Sequence, residues 1–390
     1  MTTATTTGQL RQADLLRHAV TDAQTAPTRP LEDVAYEFRQ VLRRVLPKEL
    51  AGLAWETLQF LHDELRQHKT PVWLVSADEA NDGAAPSKLD VDAKDYVKAR
   101  IGKLLMGLPY ELVGEGIGKE DRVAVPVGRL WVVVDPLDGS TIAERTGEGF
   151  AVVIMVYMQT AHGPEIVAIG LATSPCGGSS AAITHGGHVD LTWNGEEYDE
   201  VRAVTRGVAA SVAMVTGGKA NAMRYLSALV EALDAQAPAD GLLGGQPRAW
   251  SGDVQAGNPA LVKLLMLELG LLVQAGPHKI YDAAFLYALV NRRDVDVVHA
   301  DDGRPMTASD LDEAAGRWIG RGCPNDMRTV PPYVVSTVPG AAETVRRIVA
   351  SLGSAKDKAR DSRAVSRPAA GRAAPGRRDH WRRRDGPVPR

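Results

Sequence analysis

Two aspartates three positions apart close an apolar run in WVVVDPLDGS, residues 131–140: Asp135 and Asp138 flank Pro136-Leu137 and are followed by Gly139 and Ser140. Four consecutive apolar residues mark a strand buried on both faces, and such a strand ending in two carboxylates calls for a counter-charge. A turn is the simpler reading, since Pro presets φ and Asp-Gly tolerates tight backbone angles. Two carboxylates aimed into one space, however, repel and raise a pKa unless a cation lies between them. With neither His nor Cys close in sequence, oxygen-only ligation suits Mg2+, with Mn2+ as the alternative, rather than zinc. Beyond Asp138 the backbone N–H groups of Gly139 and Ser140 open a short helical stretch, STIAERT, and helix N-termini attract phosphate. A metal beside a phosphate cradle points to phosphoryl chemistry.

A third acid is expected nearby, and YELVGEGIGKED supplies Glu115, which follows the strand-like ELV twenty residues before Asp135. Gly114 and Gly116 on either side let the backbone pass close to a ligand. A solvated glutamate in a glycine turn is the competing reading. Asp78 and Glu79 in SADEAND form another acid pair, but lie too far upstream of Asp135 for the same role.

These segments resemble the superfamily of Mg2+-dependent, Li+-sensitive phosphatases that includes inositol monophosphatases and fructose-1,6-bisphosphatases. Its signature is a GEE or GEG glutamate followed about twenty residues later by DPxDG[ST], and Gly114-Glu115-Gly116 with Asp135-Pro136-Leu137-Asp138-Gly139-Ser140 match in order and spacing. The family's late WDxAA motif is matched in part by Tyr281-Asp282-Ala283-Ala284, with Tyr in place of Trp. Read from the residues alone, Asp282 sits at the start of a helix, where a capping aspartate is the alternative.

The resemblance implies an α/β fold, a layered αβαβα sandwich with two sheets. It implies two or three Mg2+ ions held by Glu115, Asp135, Asp138, Asp282 and the carbonyl of Leu137. Ser140 would help position the attacking water, Glu115 or an upstream acid would accept its proton, and Gly139 and Ser140 would face the substrate phosphate. Among Asp90, Asp92 and Asp95, Asp92 is the upstream choice. The implied reaction is hydrolysis of a small sugar, polyol or nucleoside phosphate by direct attack of water, with a fructose-1,6-bisphosphatase-like enzyme as the alternative. In that case Lys219, Arg224 or Arg248 could meet a second phosphate. A catalytically silent relative acting as a binding or scaffold protein is the alternative of another class. The resemblance also implies a homodimer or tetramer.

The elements that must position these residues are legible in outline. PLEDVAYEFRQ through DELRQHK has apolar spacing of three and four and reads as one or two helices broken near Pro47; LDVDAKDYVKARIGKLLMGL is also helical. YELVGEG, RLWVVVDP, FAVVIMVYMQ, EIVAIGLATSP and SAAITHGG read as strands of a mixed or antiparallel sheet. From ASVAMVTGG onward, strands and helices alternate through NAMRYLSALVEALDAQ, PALVKLLMLEL, LGLLVQA, YDAAFLYALV and VDVVHA. The expected organisation is a disordered segment 1–30, an α+β metal-binding portion 31–205, an α/β portion 206–350 and a disordered basic tail 351–390.

Composition excludes several classes. The formal charge of −3 hides a tail from Lys356 with twelve Lys or Arg and four Asp, so the preceding body carries about −11. The tail has too few bulky apolar residues to offset its chain entropy by burial. An acidic body does not suit nucleic acid; the small phosphorylated metabolite expected as partner is what the resemblance implies. Two cysteines, Cys176 and Cys323, form no CxxC pair; no apolar run approaches a membrane span and no export signal opens the chain, so a cytoplasmic protein is expected. TGGKANAM lacks the spacing of an NTP-binding loop, no GxSxG elbow occurs, and His185, His188 and His278 read as loop or surface residues.

Overall fold

The computed structural model describes residues 31–67, 88–105, 108, 110–115, 128–140, 143, 149–174, 179–184, 187–193, 196–197, 211–215, 226–235, 251–255, 257–266, 269–324, 327–337 and 341–351. The expected disordered ends, the Asp78–Glu79 pair, Cys176, His185, Lys219, Arg224 and Arg248 therefore lie outside the described residues, save for residue 351.

The first element among the described residues is α1 (Leu31–Gln67), a single helix with Pro47 inside it. Proline removes one helical donor, but Leu42, Val45, Leu46, Leu50, Leu53, Leu58 and Leu61 are buried on both sides of it, so packing holds the helix together across the lost bond. Helix α2 (Lys88–Leu104) lies beside it, with Phe60 stacked on Tyr96 at 4.7 Å.

The first sheet has seven strands in sequence order: β1 (Tyr110–Gly114), β2 (Leu130–Asp138), β3 (Ala151–Thr160), β4 (Gly163–Thr173), β5 (Ser179–Thr184), β6 (Val189–Trp193) and β7 (Glu196–Glu197). β1 pairs with β2 in parallel and the later pairings are antiparallel. Side chains alternate across the sheet. Leu130, Val132 and Val134 of β2 join the core beneath α1 and α2, whereas Trp131 and Val133 join the core on the other face.

That second core is filled by a middle layer of helices: α4 (Gly257–Leu265), a 3-10 turn (Tyr281–Ala283), α5 (Leu286–Leu289) and α6 (Ala308–Gly320). Within it Tyr157 and Tyr287 bring their hydroxyls to 3.3 Å, and Tyr287 donates to Asp312 Oδ1 at 2.8 Å. The polar chain ties α5, just after Asp282, to β3 and α6.

The second sheet runs β11 (Asp296–His299), β12 (Tyr333–Ser336), β10 (Leu271–Gln274), β8 (Ser211–Val215) and β9 (Ser251–Gln255). Leu272, Val297, Tyr333 and Val335 face the middle layer. Leu271, Val273 and Val334 face α3 (226–235) and α7 (341–351). The layers are thus αβαβα with two sheets, the fold class that the resemblance implied. Among the described residues, no helix is long and apolar enough to cross a membrane.

Candidate metal centre

The DPLD segment does not reverse the chain; it remains in β2 and carries a β-bulge. Asp135 lies opposite Val153 and Asp138 opposite Ala151, so three steps along β2 match two along β3. In a regular strand, residues three apart face opposite sides; the inserted residue cancels that offset and sends both carboxylates towards the middle layer. Leu137 instead buries its side chain beneath α1 and α2. Pro136 has no N–H to leave unpaired, and the Leu137 N–H donates to Asp135 Oδ1 at 3.1 Å.

Glu115 reaches the same sheet end because β1 and β2 are parallel. Gly114 lies opposite Val134 with φ 151°, and a Cβ there would stand 1.8 Å from the Val134 carbonyl oxygen. The next N–H, that of Glu115, donates to that oxygen at 3.2 Å. Glycine is therefore what lets the backbone fold over the strand end. Gly114→Ala is expected to destabilise the protein by roughly 2–4 kcal/mol through this clash and an unfavourable φ. Urea unfolding measures it, and a loss below about 0.5 kcal/mol would show that β1 relaxes without cost.

Asp282 arrives from the middle layer. It occupies the 3-10 turn, whose N-terminal flank is Ile280 with no side-chain cap, so the capping role does not apply. Gly257 lets α4 pack directly on this turn, since a Cβ there would lie 2.1 Å from the Asp282 carbonyl oxygen. Next to it Asn258, wholly buried, joins the two sides of the centre. Its backbone N–H and Nδ2 both donate to Asp138 Oδ2, at 3.0 and 2.9 Å. Nδ2 also donates to the Tyr281 carbonyl at 2.8 Å, and Oδ1 accepts from the Phe285 N–H at 3.0 Å.

Glu115, Asp135 and Asp282 each bring one carboxylate oxygen within 4.8 Å of the others. Asp138 stands behind them, anchored by Asn258. Burial pushes the Asp135 carboxyl well above the ordinary range, and the charges of Glu115, Asp138 and Asp282 push it further. Burial likewise raises Asp282, helped by Asp138 and Glu115. Asp138 is raised to about 6, burial outweighing the two Asn258 hydrogen bonds. Asp135 Oδ2 is buried and accepts no hydrogen bond among the described residues. Crowded oxygen donors with one unsatisfied buried atom fit a hard divalent cation.

Two further groups complete the surroundings. Lys279 Nζ lies 3.1 Å from Glu115 Oε1. His278 is buried rather than on the surface, because its backbone bridges to Val330 and Thr329. Its Nε2 is 3.4 Å from Asp282 Oδ2. Burial, then Arg328 and Lys279, lower its pKa to about 3, so the imidazole is neutral and, protonated on Nε2, can donate to Asp282.

Of the residues singled out in the sequence, Glu115, Asp135 and Asp282 converge and Asp138 adjoins them. Gly139 and Ser140 follow directly at half-buried positions, where the Ala143 N–H bonds the Gly139 carbonyl at 2.9 Å and begins a helical turn. Asp92 is half-buried on α2 and is not one of the three converging carboxylates. Asn258, Lys279 and the role of His278 were not foreseen.

Solved structures of this fold overlie most of the chain. Staphylococcal inositol monophosphatase-1 matches at 11% identity and a TM-score of 0.48, over 77% of this chain and 94% of its own. Mycobacterium tuberculosis SuhB matches at 15% and 0.47, over 79% and 96%. An IMPase/NADP phosphatase complexed with Mg2+ and phosphate matches at 12% and 0.46, over 78% and 95%. No protein-family model and no curated protein sequence matches. At these identities and TM-scores the likeness assigns no role to this chain, and its chemistry is argued from the site's own geometry.

Proposed function

We propose that the protein is a metal-dependent phosphomonoester hydrolase acting on a small sugar, polyol or nucleoside phosphate. The observation that carries this reading is the convergence of Glu115, Asp135 and Asp282, one buried oxygen of Asp135 having no donor among the described residues. Glu115, Asp135 and Asp282, with Asp138 and the Leu137 carbonyl as further candidates, would hold Mg2+ or Mn2+. Bound there, such ions lower the pKa of a water and neutralise charge on a phosphoryl group. The chain's own residues supply placement. Asn258 fixes Asp138, and the Leu137 N–H fixes one Asp135 oxygen, so the carboxylates need little reorganisation. Glu115, whose side chain is 39% exposed, lies on the open side and is the base best placed to take a proton from an incoming water. Ser140 and the Gly139 and Ser140 N–H groups, one step beyond Asp138, are the candidate phosphate contacts. A cytoplasmic homo-oligomer belongs to the same reading.

The test is phosphate release, with Mg2+ and with Mn2+, from inositol-1-phosphate, hexose phosphates, nucleotides and fructose-1,6-bisphosphate. Turnover of one monoester class is expected. Preference for the bisphosphate would move the assignment to a bisphosphatase, and inert behaviour with both ions across the set would sink the enzymatic reading in favour of a binding role.

A further inference from the structure

We propose that Lys279 is a built-in placeholder cation: in the metal-free protein its ammonium occupies the open side of the carboxylate cluster by pairing with Glu115, and a divalent ion must displace it to bind. The inference rests on the metal-centre reading above and adds to it a competitor carried by the chain itself.

Three carboxylates, Glu115, Asp135 and Asp282, meet at the junction of the first sheet and the middle layer, with Asp138 adjoining them on Asn258. An ammonium pairs with one of them: Lys279 Nζ lies 3.1 Å from Glu115 Oε1. The pair spans the boundary of the site: the Lys279 side chain is 14% exposed and that of Glu115 39%, whereas Asp135 is only 1% exposed. The lysine thus sits against the most exposed carboxylate of the cluster.

Its base is fixed. On one side His278 is pinned by backbone hydrogen bonds to Val330 and Thr329, and on the other the Tyr281 carbonyl is held by Asn258. The ammonium lies 5.4 Å from the centre of the Tyr281 ring, a second favourable surface for a cation. The four-carbon stem between these anchors is flexible, so the charge can move while the backbone stays in place. A divalent ion using the same Glu115 oxygen would face the ammonium at close range, and like-charge repulsion in this shielded place sets the two cations in competition. Binding is then an exchange rather than an addition.

Full-length wild type, Lys279→Met and Lys279→Arg, stripped with chelator, test this by calorimetric titration with Mg2+ and Mn2+ and by thermal melting without metal. Lys279→Met is expected to bind Mg2+ about tenfold more tightly than wild type. Without metal it is expected to melt at a lower temperature, the deficit closing at saturating Mg2+, while Lys279→Arg stays near wild type in both measurements. An affinity for Lys279→Met equal to or weaker than that of wild type overturns the inference and leaves the metal centre standing. Should Lys279→Met fail to fold without metal, Lys279→Gln is measured against the same two outcomes. If wild type and variants alike bind neither ion, the metal-centre reading fails and the inference with it.

Discussion

Asp135→Asn is expected to lower Mg2+-dependent phosphate release by roughly a thousandfold or more while raising the melting temperature of the metal-free protein. Both effects have one origin. The Asp135 carboxylate is buried, with one oxygen bonded to the Leu137 N–H and the other without a donor among the described residues. Burial and three neighbouring acids hold its pKa well above the ordinary carboxylate value, so the folded protein takes up a proton that the unfolded chain releases. The stability this contributes is present below the ordinary pKa and is lost as pH rises through the raised one. At neutral pH an unneutralised Asp135 therefore opposes folding, and asparagine removes the charge at nearly constant volume.

Asp138 follows the same sign: burial raises it from 3.8 to about 6, so it withdraws stability as pH rises between those values. In chelator the parent should lose stability from about pH 4 upward, and Mg2+ should flatten that loss. Melting curves across this range, with and without Mg2+, check it. A variant less stable than its parent in chelator would refute the account of the charge, and one with parental turnover would remove Asp135 from the chemistry.

Asn258→Ala is the second large expectation: a loss of about 2–4 kcal/mol, with weakened Mg2+ binding. Alanine deletes three side-chain hydrogen bonds, to Asp138, to the Tyr281 carbonyl and from the Phe285 N–H, in a position with no solvent to replace them. The backbone N–H still reaches Asp138 Oδ2, which is why the cost is not larger. Asn258→Asp should be worse, since it sets a second carboxylate against Asp138 and loses the Nδ2 donor. Urea unfolding and Mg2+ titration of the two variants provide the check, and an alanine variant within about 0.5 kcal/mol of the parent would show that Asn258 is not the link between β2 and the 281–283 turn.

What could be read from sequence was what is local. The runs WVVV and FAVVIMVYMQ contain enough apolar residues in the right period to fix β2 and β3, and the acids at 115, 135 and 138 are set by residues next to them. Asn258 was invisible because GNPALVKLL reads as an ordinary helix start; its partners are residues 138, 281 and 285, brought to it by the docking of α4. His278 looked like a surface residue because Gly276 and Pro277 precede it, and its burial depends on a bridge to Val330 far along the chain. Pro47 was read as a possible break, yet long-range burial on both sides outweighed the local penalty. The part of the chain after VDVVHA carried a usable local signal in the capping box of Thr307 and Asp310, which opens α6.

The bulge in β2 also limits how portable its motif is. DPLD turns two carboxylates to one face of the sheet only in company with β3, whose Val153 and Ala151 absorb the extra residue. The same tetrapeptide grafted onto an unbulged strand would send Asp135 and Asp138 to opposite sides of the sheet, one of them into an apolar layer. The unit that sets this geometry is therefore the antiparallel pair of β2 and β3 rather than the four letters of DPLD.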